Sequence, residues 1–408
     1  MNHVAKRAVA HPATVLTRTG LIAVLAVLSG CTGADSASGD KARPPHEAIS
    51  ISPRDGARDI GPDDPVEVRV PDGRLQSVKV ARIEDARRQE VPGRIARDGR
   101  SWKPAAGAAR LSLAAKYRVD AVAVDGAGHR AARHTTFTTA VPEHRFIGYF
   151  TPENRSTVGT GMIVSVGFSR PVGNRRAVER AIRVTAEPPV EVVGHWFGDK
   201  RLDLRPATYW APGTEVTVEV GLRDVEGAPG VYGSQDKTVS FAVGRSQTSL
   251  VDVAAHTMEV RRDGQLVSTV PITAGYAGKD TYNGKMVVSE MYDVTRMNGR
   301  TVGFGGEHAI KDVPHALRLT DSGTFLHGNY WSDRGVFGSS NVSHGCVGLR
   351  DVRGGGGDTP AGWFFDRTLV GDVIEVVNSR DKHVVAPDNG LGGWNLSWKR
   401  WTAGSALR

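Results

Sequence analysis

Two histidines and a cysteine share one short stretch, His327 to Arg350 (HGNYWSDRGVFGSSNVSHGCVGLR). A thiol is a useful nucleophile only as thiolate, so a catalytic cysteine needs a base or a cation beside it. His344 stands two residues before Cys346 and His327 nineteen before it. In an extended strand, alternation puts Ser343, Gly345 and Val347 on one face and His344 and Cys346 on the other. A second strand over Gly323–His327 (GTFLH) then delivers His327 beside Cys346. Gly345 permits close backbone approach, so its amide and that of Cys346 are expected to face a developing oxyanion. The alternative for each residue alone is structural: a lone cysteine is usually a small buried hydrophobe. Small, polar residues crowding one thiol and two imidazoles fit a site better than a core.

The pattern of His327, fifteen residues and then Ser343-His344-Gly345-Cys346 resembles the signature of L,D-transpeptidases with a YkuD-type catalytic domain. Thr324–Gly328 is similar to the strand that carries the family's histidine, and Trp363–Phe365 followed by Gly371–Val377 to the domain's ending. Gly393–Asn395 through Trp401–Gly404 is similar to the C-terminal extension of actinobacterial members. The resemblance implies acyl transfer through Cys346, with His327 as base and the Gly328 carbonyl orienting its imidazole. Gly345 and Cys346 amides, with His344 nearby, would hold the oxyanion. Ser322, Gly323 and Ser343 would border the substrate, together with Gly348, which stands where the family usually has asparagine. The implied reaction joins peptidoglycan stem peptides 3→3, with a tetrapeptide as donor and a side-chain amine as acceptor. No cofactor is needed, since the cleaved bond's energy is kept in a thioester. Acylation by carbapenems is implied too. Two further departures stand out. Thr281-Tyr282-Asn283-Gly284 lacks the family's proline, and no tyrosine lies between Tyr292 and Tyr330, where actinobacterial members place one facing the substrate.

The elements that position these residues are predicted to be mainly β. The 408 residues suffice for two to four domains and carry a formal charge of +8. No Lys/Arg run or aromatic-interleaved basic stripe points to nucleic acid; anionic lipid or cell-wall polymer suits the basic balance at least as well. Residues 1–31 read as a lipoprotein signal: Lys6, Arg7 and Arg18, a short apolar core Leu21–Leu28, then Leu28-Ser29-Gly30-Cys31 like a bacterial lipobox. Lipidation of Cys31 would anchor the chain to the outer face of the cell membrane, with the catalytic domain in the cell-wall space. Cys346 would then lack a partner; a 31–346 disulfide is the competing reading.

Residues 32–46 lack apolar content and read as a flexible tether. Residues 47–141 and 142–244 alternate short strands and turns, as in two immunoglobulin-like β-sandwich domains. Val66, Val68 and Val70 share one strand face, as do Met162, Val164, Val166 and Phe168. A weak repeat pairs Arg110–Leu113 with Arg201–Leu204 and Phe137 with Phe241. These units show no convergent polar cluster and read as spacers. The catalytic domain, residues 245–380, opens with strands at Leu250–Ala254, His256–Arg261 and Gln265–Ile272, with a hairpin at Arg262-Asp263-Gly264. Met286–Tyr292 reads as one more strand, and Met297–Gly303 resembles the family's flap.

His308 or His315 could line the pocket, although a structural or exposed role suits both better. No histidine pair at helical spacing and no nearby second cysteine supports a metal. Gly354–Gly357 reads as a mobile loop, and Asp358–Leu369 as a helix with Trp363, Phe364 and Leu369 inward. Residues 381–408 form a short helical tail with Trp394, Trp398 and Trp401 on one helical face, expected to pack on the catalytic domain.

Rival functions remain open. Water as acceptor would make an L,D-carboxypeptidase, and a protein amine would attach proteins to the wall. A non-catalytic wall-binding lipoprotein would leave the thiol incidental. A papain-like protease fits poorly, because its cysteine lies on a helix and its histidine far downstream.

Overall fold

The computed structural model describes residues 48–84, 87–106, 110–297 and 310–408. The stretches read as a lipoprotein leader with Cys31 and as a tether, most of the expected Met297–Gly303 flap, and His308 lie outside the described residues. The fold is mainly β. No helix among the described residues is long and apolar enough to cross a membrane.

Two β-sandwiches come first. One packs a four-stranded sheet (Ser50–Ser52, Glu67–Arg69, Ser101–Pro104, Gly93–Ile95) on a five-stranded one built around Lys116–Val124 and Arg130–Thr139. Strict alternation along Lys116–Val124 buries Tyr117, Val119, Ala121 and Ala123 against Val68, Trp102 and Phe137. Tyr117 Oη accepts the Ser112 N–H at 2.8 Å, tying the approach to this strand. The Arg110–Leu113 stretch buries Leu111 and Leu113 but is not a strand, whereas its repeat partner lies in the strand Arg201–Pro206. The second sandwich pairs sheets around Val164–Phe168 with Arg201–Pro206 and around Glu215–Gly221 with Asp236–Val243.

The third unit is a nine-stranded sheet. Its strands in chain order are β1 (Gln247–Asp252), β2 (Thr257–Arg262), β3 (Gln265–Thr273), β4 (Gly284–Val287), β5 (Glu290–Met297), β6 (Ile310–Arg318), β7 (Phe325–Asn329), β8 (Val347–Arg350) and β9 (Val373–Val377). Their spatial order is β4-β9-β1-β2-β3-β8-β7-β6-β5. The β2–β3 hairpin turns at Asp263-Gly264, both with positive φ (49° and 80°), as a tight two-residue turn requires. The stretch expected as one strand over Met286–Tyr292 is two strands at opposite edges of the sheet. Only Val288 and Ser289 separate them, a span of at most about 11 Å from Val287 to Glu290. The sheet therefore curls until its edges approach. Val288 N–H reaches the Asp372 carbonyl on one side and Ser289 N–H the Arg318 carbonyl on the other, each at 3.0 Å.

The helix after the site is shorter than expected. It spans Pro360–Phe365, with Thr359 accepting the Gly362 N–H and proline in the first turn, a combination that fixes the start. Leu369 lies beyond it. The tail is not one helix either. Trp394 sits in a 3-10 turn (Gly392–Asn395), and Ser397 caps a separate helix, Trp398–Thr402. The three tryptophans nonetheless converge on one group, the Arg205 guanidinium of the second sandwich, at 4.3 Å (Trp394), 5.5 Å (Trp398) and 4.3 Å (Trp401). Burial pushes Arg205 down to about 10, and the Gly393 and Leu396 carbonyls accept its N–H groups. Trp401 is fully buried in that sandwich's core. Meanwhile Asn395 bonds both the N–H and the carbonyl of Lys285 in β4. The tail thus bridges the second sandwich and the nine-stranded sheet instead of packing on the latter alone.

Candidate active site

β7 and β8 run parallel, with Leu326 opposite Val347 and His327 opposite Gly348. Alternation sends Leu326, Val347 and Leu349 into the sheet's apolar core. Phe325, His327 and Asn329 take the other face of β7, and Gly348 shares that side: a Cβ added there would meet Asn329 atoms at 3.4 Å. Cys346, His327, His344, Ser343 and Asn329 line one cavity of about 810 Å³, with Tyr330, Trp331, Lys311, Asp312 and Arg353 also on its wall.

Cys346 does not lie on a strand. Ser343 makes an isolated bridge to Gly275, and residues 344–346 form a bend that enters β8 at Val347. Two contacts close the bend: Ser343 Oγ donates to the Cys346 carbonyl and accepts the Gly345 N–H at 3.2 Å. Gly345 has φ +118°, which explains glycine there. The Gly345 N–H, expected to face an oxyanion, is held here by Ser343 Oγ. Gly345 itself does not line the cavity.

Cys346 is 2% exposed and His327 4%. The Phe325 N–H points at Cys346 Sγ (3.4 Å), and Sγ faces the Gly323 carbonyl (3.7 Å). Burial pushes the thiol up to about 11, with the Phe325 N–H opposing. Burial likewise lowers the His327 imidazole, offset in part by its hydrogen bond to Gly328 and by the Asp351 charge. Both shifts favour the uncharged forms, thiol and imidazole. His327 Nδ1–H donates to the Gly328 carbonyl at 2.9 Å, which leaves Nε2 as the basic nitrogen. Trp331 stacks on the imidazole (5.5 Å between centroids, 19° between planes), and Tyr276 meets His344 edge-on at 5.1 Å.

The remaining expected residues sit around this centre. Gly323 touches Sγ through its carbonyl and has φ +100°. Ser322 is tied to the tail by Asn389, through both its N–H and its hydroxyl. His315 lies behind the cavity, paired with Asp351 (Nδ1 to Oδ2 2.8 Å). Gly355, in the expected mobile loop, packs on His315 in a short 3-10 turn. Among the described residues no group of three or more His, Cys, Asp or Glu side chains converges as a metal site.

Sequence reading missed Asn329, Tyr330, Trp331 and Asp351. The run His327-Gly328-Asn329-Tyr330-Trp331 held the signal for the first three. Asn329 Oδ1 accepts the N–H groups of Trp331 (3.2 Å) and Ser332 (3.0 Å), an Asx turn that folds Trp331 back onto His327. Tyr330 brings a phenol to the cavity although the β5–β7 stretch has no tyrosine after Tyr292.

The sequence matches known proteins over both halves. Residues 57–226 match the bacterial Ig domain and residues 246–376 the L,D-transpeptidase catalytic domain. The chain is 32% identical over 361 residues to L,D-transpeptidase 2 of Mycobacterium tuberculosis, covering 88% of this chain and 85% of that one. It is 30% identical over 391 residues to L,D-transpeptidase 5 of the same species, covering 93% and 82%. A solved L,D-transpeptidase in complex with imipenem is similar over 58% of this chain and all of its own, with 30% identity and a TM-score of 0.48.

Proposed function

The chain belongs to the L,D-transpeptidase family, and on that premise we propose that it cross-links peptidoglycan stem peptides 3→3 through a thioester on Cys346. The observation that carries this reading is that Cys346 and His327 line one cavity, with Nδ1 of the imidazole committed to Gly328 and Nε2 left to act. His327 Nε2 takes the Sγ proton as sulfur attacks the carbonyl between the third and fourth residues of a tetrapeptide stem. The C–N bond breaks, the leaving D-Ala amine takes that proton from His327, and the tripeptide acyl group stays on Sγ. A side-chain amine of a second stem then attacks the thioester, gives its proton to the imidazole and returns the thiolate, which is reprotonated. Burial works against free thiolate but favours proton transfer inside a preorganised site, where charge develops only during reaction.

Roles in substrate handling follow from position. His344 and the Cys346 amide sit where the tetrahedral oxygen develops. Ser343 shapes the bend that carries both, and Ser322, Gly323 and Gly348 border the donor. Lys311 supplies positive charge at the cavity wall for stem carboxylates, while Arg353 beside it is paired with Asp312. The first two units serve as spacers, with boundaries at 47–141, 142–244 and 245–380. The apolar run Leu21–Leu28 before Leu28-Ser29-Gly30-Cys31 supports export and lipid anchoring at Cys31. Anchoring is checked by the intact mass of the membrane-fraction protein against Cys31→Ala.

The test of the reaction uses purified disaccharide-tetrapeptide and residues 47–408, with products read by mass spectrometry. A dimer lacking one D-Ala, absent for Cys346→Ala, is expected. Tripeptide monomer alone would replace the amine acceptor with water.

A further inference from the structure

Asp351 follows β8 directly, and its backbone N–H closes on the Asn329 carbonyl at the end of β7 (3.2 Å). Its side chain is fully buried and accepts three hydrogen bonds: His315 Nδ1 on Oδ2 (2.8 Å), and Thr359 Oγ1 (2.9 Å) and the Val352 N–H (2.8 Å) on Oδ1. A surface carboxylate would be hydrated; this one is held by a fixed donor set at some conformational cost. His315 is held in turn. It packs on the Phe365 ring (5.1 Å between centroids) and against Gly355 and Gly362, where an added Cβ would lie 3.0 and 3.2 Å from the imidazole. Its backbone has φ +48° within β6, a conformation that L-residues other than glycine seldom adopt.

The pair points at the catalytic histidine through one peptide. Asp351 Oδ2 lies so close to the Gly328 Cα that a Cβ there would sit 1.9 Å from it. Gly328 supplies the carbonyl that accepts His327 Nδ1–H. The carboxylate thus braces the peptide that sets the imidazole's tautomer and orientation. Its charge also favours the imidazolium that forms when Cys346 gives up its proton. The titratable groups facing it are His315 from β6 and His327 from β7; Arg353, on its own side, reaches instead to Asp312 at 3.6 Å.

We propose that Asp351, clamped by His315 and Thr359, is a positioning residue for acyl transfer, bracing the Gly328 peptide that orients His327. The proposal rests on the acyl-transfer reading above. The test measures acylation of Cys346 by imipenem, followed by intact mass between pH 5 and 9. It compares residues 47–408 of the wild type with Asp351→Asn, His315→Gln and His315→Ala, all checked for a folded melting transition.

Asp351→Asn is expected to slow acylation by about ten- to a hundredfold, the scale known for loss of a partner that orients a metal-bound histidine. Its acidic limb should move to lower pH, because an imidazole without the nearby negative charge is harder to protonate. His315→Gln, which keeps a donor for Asp351, should recover most of the rate that His315→Ala loses. Wild-type rate and profile in Asp351→Asn would overturn the proposal. So would a slower rate with an unmoved acidic limb and no difference between the two His315 variants, since that is mere packing. A wild-type chain that takes no label at Cys346 would overturn the acyl-transfer reading as well.

Discussion

His327 donates its Nδ1 proton to the carbonyl of the next residue, Gly328, at 2.9 Å. The bond is local in sequence yet fixes the tautomer, because it leaves Nε2 as the basic nitrogen. It also makes the backbone at Gly328 part of the site. A methyl group there would lie 1.9 Å from Asp351 Oδ2. Gly328→Ala should therefore shift the peptide, lower stability by about 1–3 kcal/mol as overpacking does, and slow acylation more than the loss of stability explains. Thermal melting and the imipenem acylation rate, measured on the same preparation, check this.

Burial of Cys346 and His327 gives stability a defined pH dependence. The thiol is raised to about 11 from an ordinary value of 9, so its contribution is complete below pH 9 and is lost as pH rises towards 11. That amounts to about 2–3 kcal/mol. The His327 imidazole is lowered, so its contribution is present above the unfolded value of 6.5 and is lost as pH falls below it. Urea unfolding at pH 8 and pH 10.5 should show an alkaline loss in the wild type that is smaller in Cys346→Ser.

Gly348 and Asn329 share one space. A Cβ at 348 would stand 2.9 Å from Thr273 Cγ2 and 3.4 Å from Asn329. Gly348→Asn alone should impair folding and acylation. The double variant Gly348→Asn with Thr273→Ser, which removes the 2.9 Å methyl and keeps the Thr273 hydroxyl contacts to Ser340 and Val342, should recover part of both, a coupling of about 0.5–3 kcal/mol in a double-mutant cycle.

Arg205 is buried against Trp394 and Trp401 and bonded to the tail's carbonyls. Arg205→Ala would leave those carbonyls unpaired and open a cavity, at a cost of about 3 kcal/mol or more. A lower melting temperature is expected, with little change in acylation by the molecules that remain folded.

The β-rich plan was legible because alternation is strong where one face is buried, as along Lys116–Val124 and in the Asp263-Gly264 hairpin. The meeting of Cys346 and His327 on one cavity was legible because few residue types pair in that pattern. Long-range geometry was not. Nothing local says that Val288-Ser289 leads from one sheet edge to the other, since the path depends on the sheet's curl. The bend at 343–346 looked like strand, because its closure depends on Ser343 Oγ and not on hydrophobic pattern. The helical spacing of Trp394, Trp398 and Trp401 was misleading: their convergence comes from Arg205, nearly two hundred residues upstream. Asp351 gave no signal at all, as its partner His315 approaches only through the sheet.

The central claim is that Cys346 carries the acyl group of a stem peptide. Disaccharide-tetrapeptide should be mixed rapidly with residues 47–408, quenched in acid and the protein weighed intact. The account predicts a mass increase equal to the substrate less one D-Ala, mapped by digestion to Cys346 and absent in Cys346→Ala. Free D-Ala with no adduct on Cys346 at any time, and equal D-Ala release by Cys346→Ala, would contradict it.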